Sequence, residues 1–288
     1  MDNLRGIGLM VTAMAFFALG DMTIKWATQI MPVAQVLALL GLGGGLVFAS
    51  LCKAKGHKVL TRDFLRGPII LRNSSEVVGT MCMFLALARV DLSLVAAILQ
   101  ATPVAVTFGA AVLLGEHVGW RRWAATLVGF VGVLIIMRPG MTGFQPDSLW
   151  ALVAMVALAL RDLSTRMVPH SVPTLRIATY GMSMLAPAGL VLMLAAQPPV
   201  AMNAASWGLM ALMVTVGVLG YHAITSAMRV GEVSAVSPFR YSRMVFALAI
   251  GVLVFGERPD LWTLVGTALT IAAGLYTFLR ERRPRRAS

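Results

Sequence analysis

Long apolar runs alternate with short polar stretches along the whole chain. A run of about 20 apolar residues is long enough to cross the roughly 30 Å hydrocarbon core of a bilayer as a helix. Ten such runs predict ten spans, over residues 4–25, 32–52, 68–88, 92–114, 120–138, 148–168, 173–195, 205–228, 233–255 and 261–279. The pattern therefore predicts an all-α integral membrane protein with ten transmembrane helices.

The second half of the sequence repeats the first with an offset of 141 residues. The offset aligns Met14 with Met155, Asp21 with Asp162, Lys25 with Arg166, Pro32 with Pro173, Gly79 with Gly220, Ser93 with Ser234 and Glu116 with Glu257. Each half holds five predicted spans, and an odd number of spans turns the second half upside down in the membrane. We therefore predict two inverted five-helix repeats, residues 1–141 and 142–288.

The composition is that of a chain solvated by lipid. It is 58% hydrophobic and only 12% charged, whereas a soluble domain carries about 25% charged residues. The net charge of +12 does not indicate a nucleic-acid partner, because the basic residues cluster in loops and at the C-terminus. Cys52 and Cys82 lie in apolar segments, so we expect no disulfide framework, no metal site and no cofactor.

The distribution of lysine and arginine predicts the orientation. With a cytoplasmic N-terminus, 16 of the 24 basic residues fall on the cytoplasmic side, 4 fall outside and 4 lie within spans. Cytoplasmic loops carry such an excess, so we predict a multi-pass protein of the cytoplasmic (inner) membrane with both termini in the cytoplasm. The basic tail from Arg280 to Arg286 is typical of an anchor on anionic lipid.

Two similar stretches precede the last span of each half. The first is SLVAAILQATP at residues 93–103, which leads to LGE at 114–116, and the second is SAVSPFRY at 234–241, which leads to FGE at 255–257. Together with the duplicated five-span half, they resemble the drug/metabolite transporter superfamily, EamA type. The resemblance implies a central cavity lined by spans 1, 3, 4, 6, 8 and 9, with spans 5 and 10 outside. One departure is that Pro103 aligns with Met244 rather than Pro238, so the halves differ chemically.

Ionisable groups inside a bilayer are costly and are candidates for function. The spans carry four sets, which are Asp21 with Lys25, Arg72 with Glu76, Arg161 with Asp162 and Arg166, and Arg240 with Arg243. The first three sets combine opposite charges at neighbouring positions, and residues four apart share a helix face. These sets are either structural ion pairs or substrate ligands, and the sequence leaves both interpretations open.

Arg240 and Arg243 are the strongest substrate-binding candidates. They lie about seven and ten residues into span 9, close to the midplane, and are three residues apart and hence on one helix face. Span 9 contains no acidic residue that could neutralise them. A guanidinium group donates paired hydrogen bonds to a carboxylate or phosphate, so we predict that they bind negative groups, with Tyr241 beside them.

Several further residues complete the predicted site. Arg72, Gln100 and Tyr221 are candidates for substrate binding, and Glu76, Asp21, Asp162 and His222 for proton coupling or cavity charge. His222 is either a neutral core histidine or a proton-linked switch. Pro103 and Pro238 are expected to loosen their helices and free backbone carbonyls. We interpret Glu116 and Glu257 as features of the fold rather than ligands.

The sequence therefore predicts a secondary transporter of a small anionic or zwitterionic metabolite. Export of an amino-acid-derived or carboxylate-rich product, such as an opine-type metallophore, is the favoured direction, as the resemblance implies. The alternatives are an importer of the riboflavin or S-adenosylmethionine type, and a membrane scaffold or enzyme. No nucleophile–base pair, phosphate loop or metal cluster favours an enzyme. The expected partners are the substrate, the bilayer and protons, and a homodimer is possible.

Overall fold

The computed structural model describes residues 3–113, 115, 120–138, 144–169, 171–196, 198–230 and 236–281. These residues form α1 (Asn3–Ile30), α2 (Val33–Ala54), α3 (Gly67–Arg89), α4 (Leu92–Leu99), α5 (Thr102–Leu113), α6 (Trp120–Met137), α7 (Ser148–Arg166), α8 (Thr174–Ala195), α9 (Ala204–Val230), α10 (Ser242–Phe255) and α11 (Leu261–Glu281). Short 3-10 helices cover Arg62–Leu65 and Ser237–Tyr241. Within this part of the chain there is no strand, which confirms the all-helical prediction.

The helices follow the ten predicted spans. Seven spans of the described residues are long and apolar enough to cross a membrane, and they comprise α1, α2, α3, α4 with α5, α7, α8 and most of α9. Shorter apolar stretches lie at Trp123–Met137 in α6 and Leu261–Ala273 in α11. The described part of the ninth span is α10 together with the 3-10 helix that precedes it. The chain is therefore a multi-pass membrane protein.

The sequence repeat is reproduced in the helix boundaries. Adding the offset of 141 to both ends of α2 gives both ends of α8, and adding it to the first residue of α6 gives the first residue of α11. Pro32 and Pro173, which are aligned by the offset, stand immediately before α2 and α8 with φ of −56° and −60°. Proline fixes φ near this value and lacks the N–H that a helix start leaves unbonded, so the same residue begins both helices.

Two compact units cut across the repeats. Unit 1 contains Met1–Leu19, Val90–Ser148 and Leu219–Ser288, and unit 2 contains Gly20–Arg89 and Leu149–Val218. Each unit gathers helices from both halves of the sequence, because repeat-related helices pack against each other. The division into repeats at residue 141 describes the sequence and stays a prediction.

In unit 2, α2 packs antiparallel on α8 at contacts made by glycine. A Cβ added to Gly41 would lie 2.7 Å from the carbonyl carbon of Leu185, and one added to Gly45 would lie 2.8 Å from Ser183 Oγ. Small residues let membrane helices approach closely enough for van der Waals packing to hold them together. The α2–α8 contact therefore depends on the absence of a side chain at Gly41 and Gly45.

In unit 1, α6 and α11 pack in the same manner. Thr270 Oγ1 donates to the carbonyl of Gly129 at 3.5 Å, and these two residues are 141 positions apart. A Cβ added to Gly266 would lie 2.6 Å from the side chain of Ile136, further along the antiparallel contact. Equivalent helices thus meet each other in both units, as expected for inverted repeats.

Replacing Gly41 with alanine should destabilise unit 2, because the new methyl group meets the backbone of α8, which cannot rotate away. We expect a loss of about 1–3 kcal/mol, the usual cost of overpacking. Thermal unfolding in detergent measures it. Gly8→Ala in α1 is the matched control, since a Cβ there meets no atom within 4 Å, and it should leave the melting temperature unchanged. Equal melting temperatures for the two variants would contradict the packing argument.

Candidate functional site

The fourth and ninth spans are interrupted at equivalent positions. Gln100 and Ala101 separate α4 from α5, and the 3-10 helix Ser237–Tyr241 precedes α10. Pro103 has no N–H to donate to the carbonyl of Leu99, and Thr102 Oγ1 donates to that carbonyl instead, at 2.6 Å. This break, and the 3-10 turn that contains Pro238, confirm the expectation that both prolines loosen their spans.

The two interruptions are joined by a hydrogen bond. Gln100 Nε2 donates to the backbone carbonyl of Tyr241 at 3.2 Å, between residues that are 141 positions apart. The side chains of Gln100 and Tyr241 are half-buried. A glutamine amide thus satisfies one of the carbonyls at the start of α10, within unit 1.

Glu257 holds the N-terminus of α4. Its Oε1 accepts from the Leu92 N–H at 2.6 Å, and its Oε2 accepts from the N–H and Oγ of Ser93 at 2.9 and 2.7 Å. A carboxylate satisfies the unbonded N–H groups at a helix start and interacts favourably with the helix dipole there. The interpretation of Glu257 as part of the fold is confirmed, whereas Glu116 lies outside the described residues.

Replacing Glu257 with alanine should unfold unit 1 at lower temperature, because two N–H groups of α4 lose their buried acceptor. Hydrogen bonds to a charged group contribute about 1.5–3 kcal/mol each, so a loss of several kcal/mol is expected in thermal unfolding. Ser93→Ala removes only the hydroxyl bond and should cost less. If both variants melt at the wild-type temperature, this contact does not stabilise the fold.

Arg243 lies at the start of α10, against an aromatic ring. Its guanidinium carbon is 5.7 Å from the centroid of the Phe17 ring, which is within the range of a cation–π interaction. Gly220 makes room for the ring, since a Cβ there would lie 3.0 and 3.1 Å from two Phe17 carbons. Phe17 thus contacts Arg243, the predicted substrate-binding residue, although Phe17 was not among the residues predicted from the sequence.

The remaining candidates of unit 1 differ in exposure. Arg240 is exposed, while Arg243 and Tyr221 are half-buried. The two arginines therefore occupy different environments despite their three-residue spacing. His222 is exposed as well, so its interpretation as a core histidine is wrong.

Unit 2 contains a network of four charged side chains on α3 and α7, called here the ion network. Arg72 Nη2 lies 3.0 Å from Glu76 Oε2, and Arg161 Nη1 lies 3.2 Å from Glu76 Oε1. Arg161 also donates to Asp162 Oδ1 from Nε at 2.9 Å and from Nη2 at 2.7 Å. Both oxygens of Glu76 thus accept from guanidinium groups, and the four formal charges cancel.

Residues of α3 and α8 hold Arg72 in the ion network. Its Nη1 donates to Asn73 Oδ1 at 3.1 Å and to the carbonyl of Ile177 at 3.3 Å. The guanidinium also lies where a Cβ of Gly181 would be, so this position of α8 has no room for a side chain. Arg72 is consequently fixed by backbone and small residues as well as by Glu76.

Burial within the ion network is graded. The side chains of Arg72 and Glu76 are each 12% exposed, whereas Arg161 is 28% and Asp162 is 37% exposed. Asp21 and Lys25 of α1 are also buried. Among the residues that the structure describes, no group of three histidine, cysteine, aspartate or glutamate side chains could hold a metal ion.

Comparison with known proteins identifies relatives along the whole chain. The EamA-like transporter family matches twice, at residues 4–138 and 146–279. A protein of known crystal structure aligns over 97% of this chain and 98% of its own, with a TM-score of 0.64 and 20% identity. At that identity the likeness concerns the fold.

Three curated relatives are named for transport. The riboflavin transporter of Rhizobium johnstonii is 28% identical over 96% of this chain and 92% of its own. The pseudopaline exporter of Pseudomonas aeruginosa is 26% identical over 95% of this chain and 96% of its own. The S-adenosylmethionine uptake transporter of Rickettsia prowazekii is 25% identical over 59% of this chain, and the match covers only 58% of that relative.

Proposed function

The chain belongs to the EamA-like transporter family, and we propose that it is a secondary transporter of a small anionic or zwitterionic metabolite in the cytoplasmic membrane. A small-molecule transporter of the drug/metabolite type follows from the family and from its transporter-named relatives. The charge and direction of the cargo are the proposal.

Several charged residues have an uncharged counterpart in the other repeat, and this asymmetry supports the proposal. With the offset of 141, Arg243 corresponds to Thr102, Arg72 to Met213, Glu76 to Gly217 and Arg161 to Gly20. The repeat places equivalent residues at equivalent contacts, as α2 and α8 illustrate, so a charge that occurs in only one copy is not a requirement of the repeat itself. Because a charge in a membrane-spanning segment is costly, the one-sided arginines favour a role in recognition.

Arg243 is the observation that carries the choice of an anionic group. It is half-buried, and its guanidinium carbon lies 5.7 Å from the centroid of the Phe17 ring. A guanidinium recognises carboxylates and phosphates through paired hydrogen bonds. We therefore propose that Arg243 binds a negative group of the substrate, with Arg240, Tyr241, Gln100 and Tyr221 of unit 1 as further contacts.

The named relatives include both importers and an exporter, so they support transport without fixing its direction. We propose export, the direction that the resemblance to the drug/metabolite transporters implies. The proposed cargo is an amino-acid-derived or carboxylate-rich product, because such a cargo suits the arginines. Uptake of a nutrient, as in the riboflavin and S-adenosylmethionine transporters among the relatives, is the second candidate.

Flux into proteoliposomes tests the proposed function. The purified protein is reconstituted, and counterflow is measured for labelled dicarboxylic amino acids, an opine-type chelator, riboflavin and S-adenosylmethionine. The proposal expects the carboxylate-rich solutes to exchange, and protein-free vesicles provide the baseline. Exchange of neutral solutes alone would overturn the anionic cargo, and no flux of any solute would favour a scaffold or enzyme.

Orientation can be tested separately from the cargo. A reporter fused after Arg286 should be active only in its cytoplasmic form, because the 16 to 4 distribution of basic residues favours cytoplasmic termini. The matched fusion is made after Arg138, which we predict to lie outside. A periplasmic signal from the Arg286 fusion would contradict the proposed topology.

A further inference from the structure

We propose that the segment from the last turn of α2 to the start of α3, residues 53–66, binds the headgroups of anionic phospholipids in the surrounding membrane. This segment is called here the basic loop. The inference goes beyond the proposed function, because it depends on neither the cargo nor the direction of transport. It requires only that α2 and α3 span the membrane, which places their connection at the membrane surface.

The basic loop presents a cluster of exposed cations. Lys53, Lys55, Lys58 and Arg62 are all exposed, and within the described residues their side chains form no ion pair. Lys53 lies in the last turn of α2, where a cation interacts favourably with the helix dipole. The other three lie beyond the helix, so the dipole does not account for the cluster.

The acidic residue of the basic loop does not neutralise these cations. Asp63 accepts from Thr61 Oγ1 at 2.9 Å, lies 3.0 Å from Arg66 Nε and lies 2.8 Å from Arg176 Nη1. The Thr61 hydrogen bond, aided by the two arginines, lowers the pKa of the Asp63 carboxyl below its usual value. Asp63 thus remains ionised and bound to these partners, and the positive charge of the four free cations is left uncompensated.

Two leucines of the same loop point away from the protein. Leu60 is 87% exposed and Leu65 is 71% exposed. Cations combined with exposed apolar side chains are typical of segments that lie in the headgroup region of an anionic membrane. This combination favours a lipid surface over a soluble phosphate, which would need no apolar contact.

The basic loop is held against α8 by contacts of Lys58, Thr61 and Phe64. Tyr180 of α8 bonds Thr61 through its hydroxyl at 2.9 Å and packs edge-on against Phe64, with ring centroids 5.2 Å apart. Arg176 Nε donates to the carbonyl of Lys58 at 2.8 Å. These contacts fix the backbone of the basic loop to α8, with its cations and leucines on the exposed side.

A fluorescent label at Leu60 tests lipid binding directly. Both native cysteines in the chain are buried, so Leu60→Cys can be labelled selectively with an environment-sensitive nitrobenzoxadiazole dye. In nanodiscs, its emission should shift to the blue as phosphatidylglycerol replaces phosphatidylcholine, and the shift should weaken in high salt. The same label at Leu194, which is 89% exposed at the end of α8, should not respond to phosphatidylglycerol.

Charge variants of the labelled protein distinguish a local site from general attraction. Replacing Lys53, Lys55, Lys58 and Arg62 with glutamine should raise the phosphatidylglycerol fraction needed for half of the shift about tenfold or more. The matched control replaces four tail arginines, Arg282, Arg283, Arg285 and Arg286, and should leave the response at Leu60 unchanged. Equal effects of the two variants, or no dependence on phosphatidylglycerol, would overturn the proposal. A shift produced in detergent by inorganic phosphate alone would also overturn it.

Discussion

Replacing Glu76 with glutamine should strongly destabilise unit 2. Both carboxylate oxygens accept from guanidinium groups, and glutamine would leave Arg72 and Arg161 with Asp162 as the remaining carboxylate of the ion network. Removing one partner of a buried ion pair costs about 3–5 kcal/mol, because it leaves an uncompensated charge. Thermal unfolding of the reconstituted protein should therefore begin at a clearly lower temperature.

Compensating variants provide the control for Glu76. The double variant Glu76→Gln with Arg72→Gln restores the charge balance of the ion network and should recover part of the lost stability. Asp162→Asn should cost less, on the order of 1 kcal/mol, because an exposed pair is weakened by solvent and Asp162 is 37% exposed. A Glu76→Gln variant as stable as the wild type would show that the ion network does not support the fold.

The ion network also bears on the coupling of transport to protons, for which the sequence offers Glu76, Asp21, Asp162 and His222 as candidates. We propose Glu76 as the coupling site. Protonation of Glu76 would weaken its ion pairs with Arg72 and Arg161 at the same time. Binding of a proton would thereby change the contact between α3 and α7. A folded Glu76→Gln variant that still concentrates substrate with a pH gradient would remove Glu76 from this role.

Much of the fold could be predicted because membrane spans and repeats are local patterns. The length of an apolar run predicts a span directly, and the offset of 141 anticipated that α2 and α8 begin after aligned prolines. The Arg72–Glu76 contact followed from helical spacing in the same way. These predictions needed only distances along the chain.

Contacts between distant segments could not be predicted from the same patterns. Arg161 and Glu76 are 85 residues apart, so spacing assigned Glu76 to Arg72 and did not reveal that it is shared. In the sequence, Phe17 is one apolar residue among many in the first span. Only the packing of α1 against α9 at Gly220 shows where its ring lies. The offset of 141 could have indicated this contact. It aligns Phe17 with Leu158 and Gly220 with Gly79, and Leu158 packs against Gly79 as Phe17 packs against Gly220.

Exposure was the other quantity that the sequence did not provide. A hydrophobic run shows that a helix lies in the membrane, but it does not show which of its residues are covered by other helices. His222 and Arg240 were placed within spans, and both are exposed. By contrast, Asp21 and Lys25 near the end of the first predicted span are buried.

The most direct test of the proposed substrate class is Arg243→Gln, which should reduce transport of an anionic solute while the protein remains folded. Glutamine keeps hydrogen-bonding ability but lacks the charge and the paired donors. Loss of one charge-assisted hydrogen bond costs about 1.5–3 kcal/mol, or roughly 10- to 150-fold in affinity. The effect should appear as a raised KM in proteoliposome flux, with size-exclusion profile and melting temperature unchanged.

Two further variants separate the charge of Arg243 from its position. Phe17→Leu introduces the residue found at the equivalent position 158 and removes the aromatic ring without changing the charge. A cation–π contact is worth about 0.5–2 kcal/mol, so this variant should lose less affinity than Arg243→Gln. Arg243→Lys keeps the charge but not the planar pair of donors, and its loss of affinity should fall between those of the other two variants.

If the double variant Arg240→Gln with Arg243→Gln transports an anionic solute at the wild-type rate, both arginines are structural and the proposed anionic cargo is wrong.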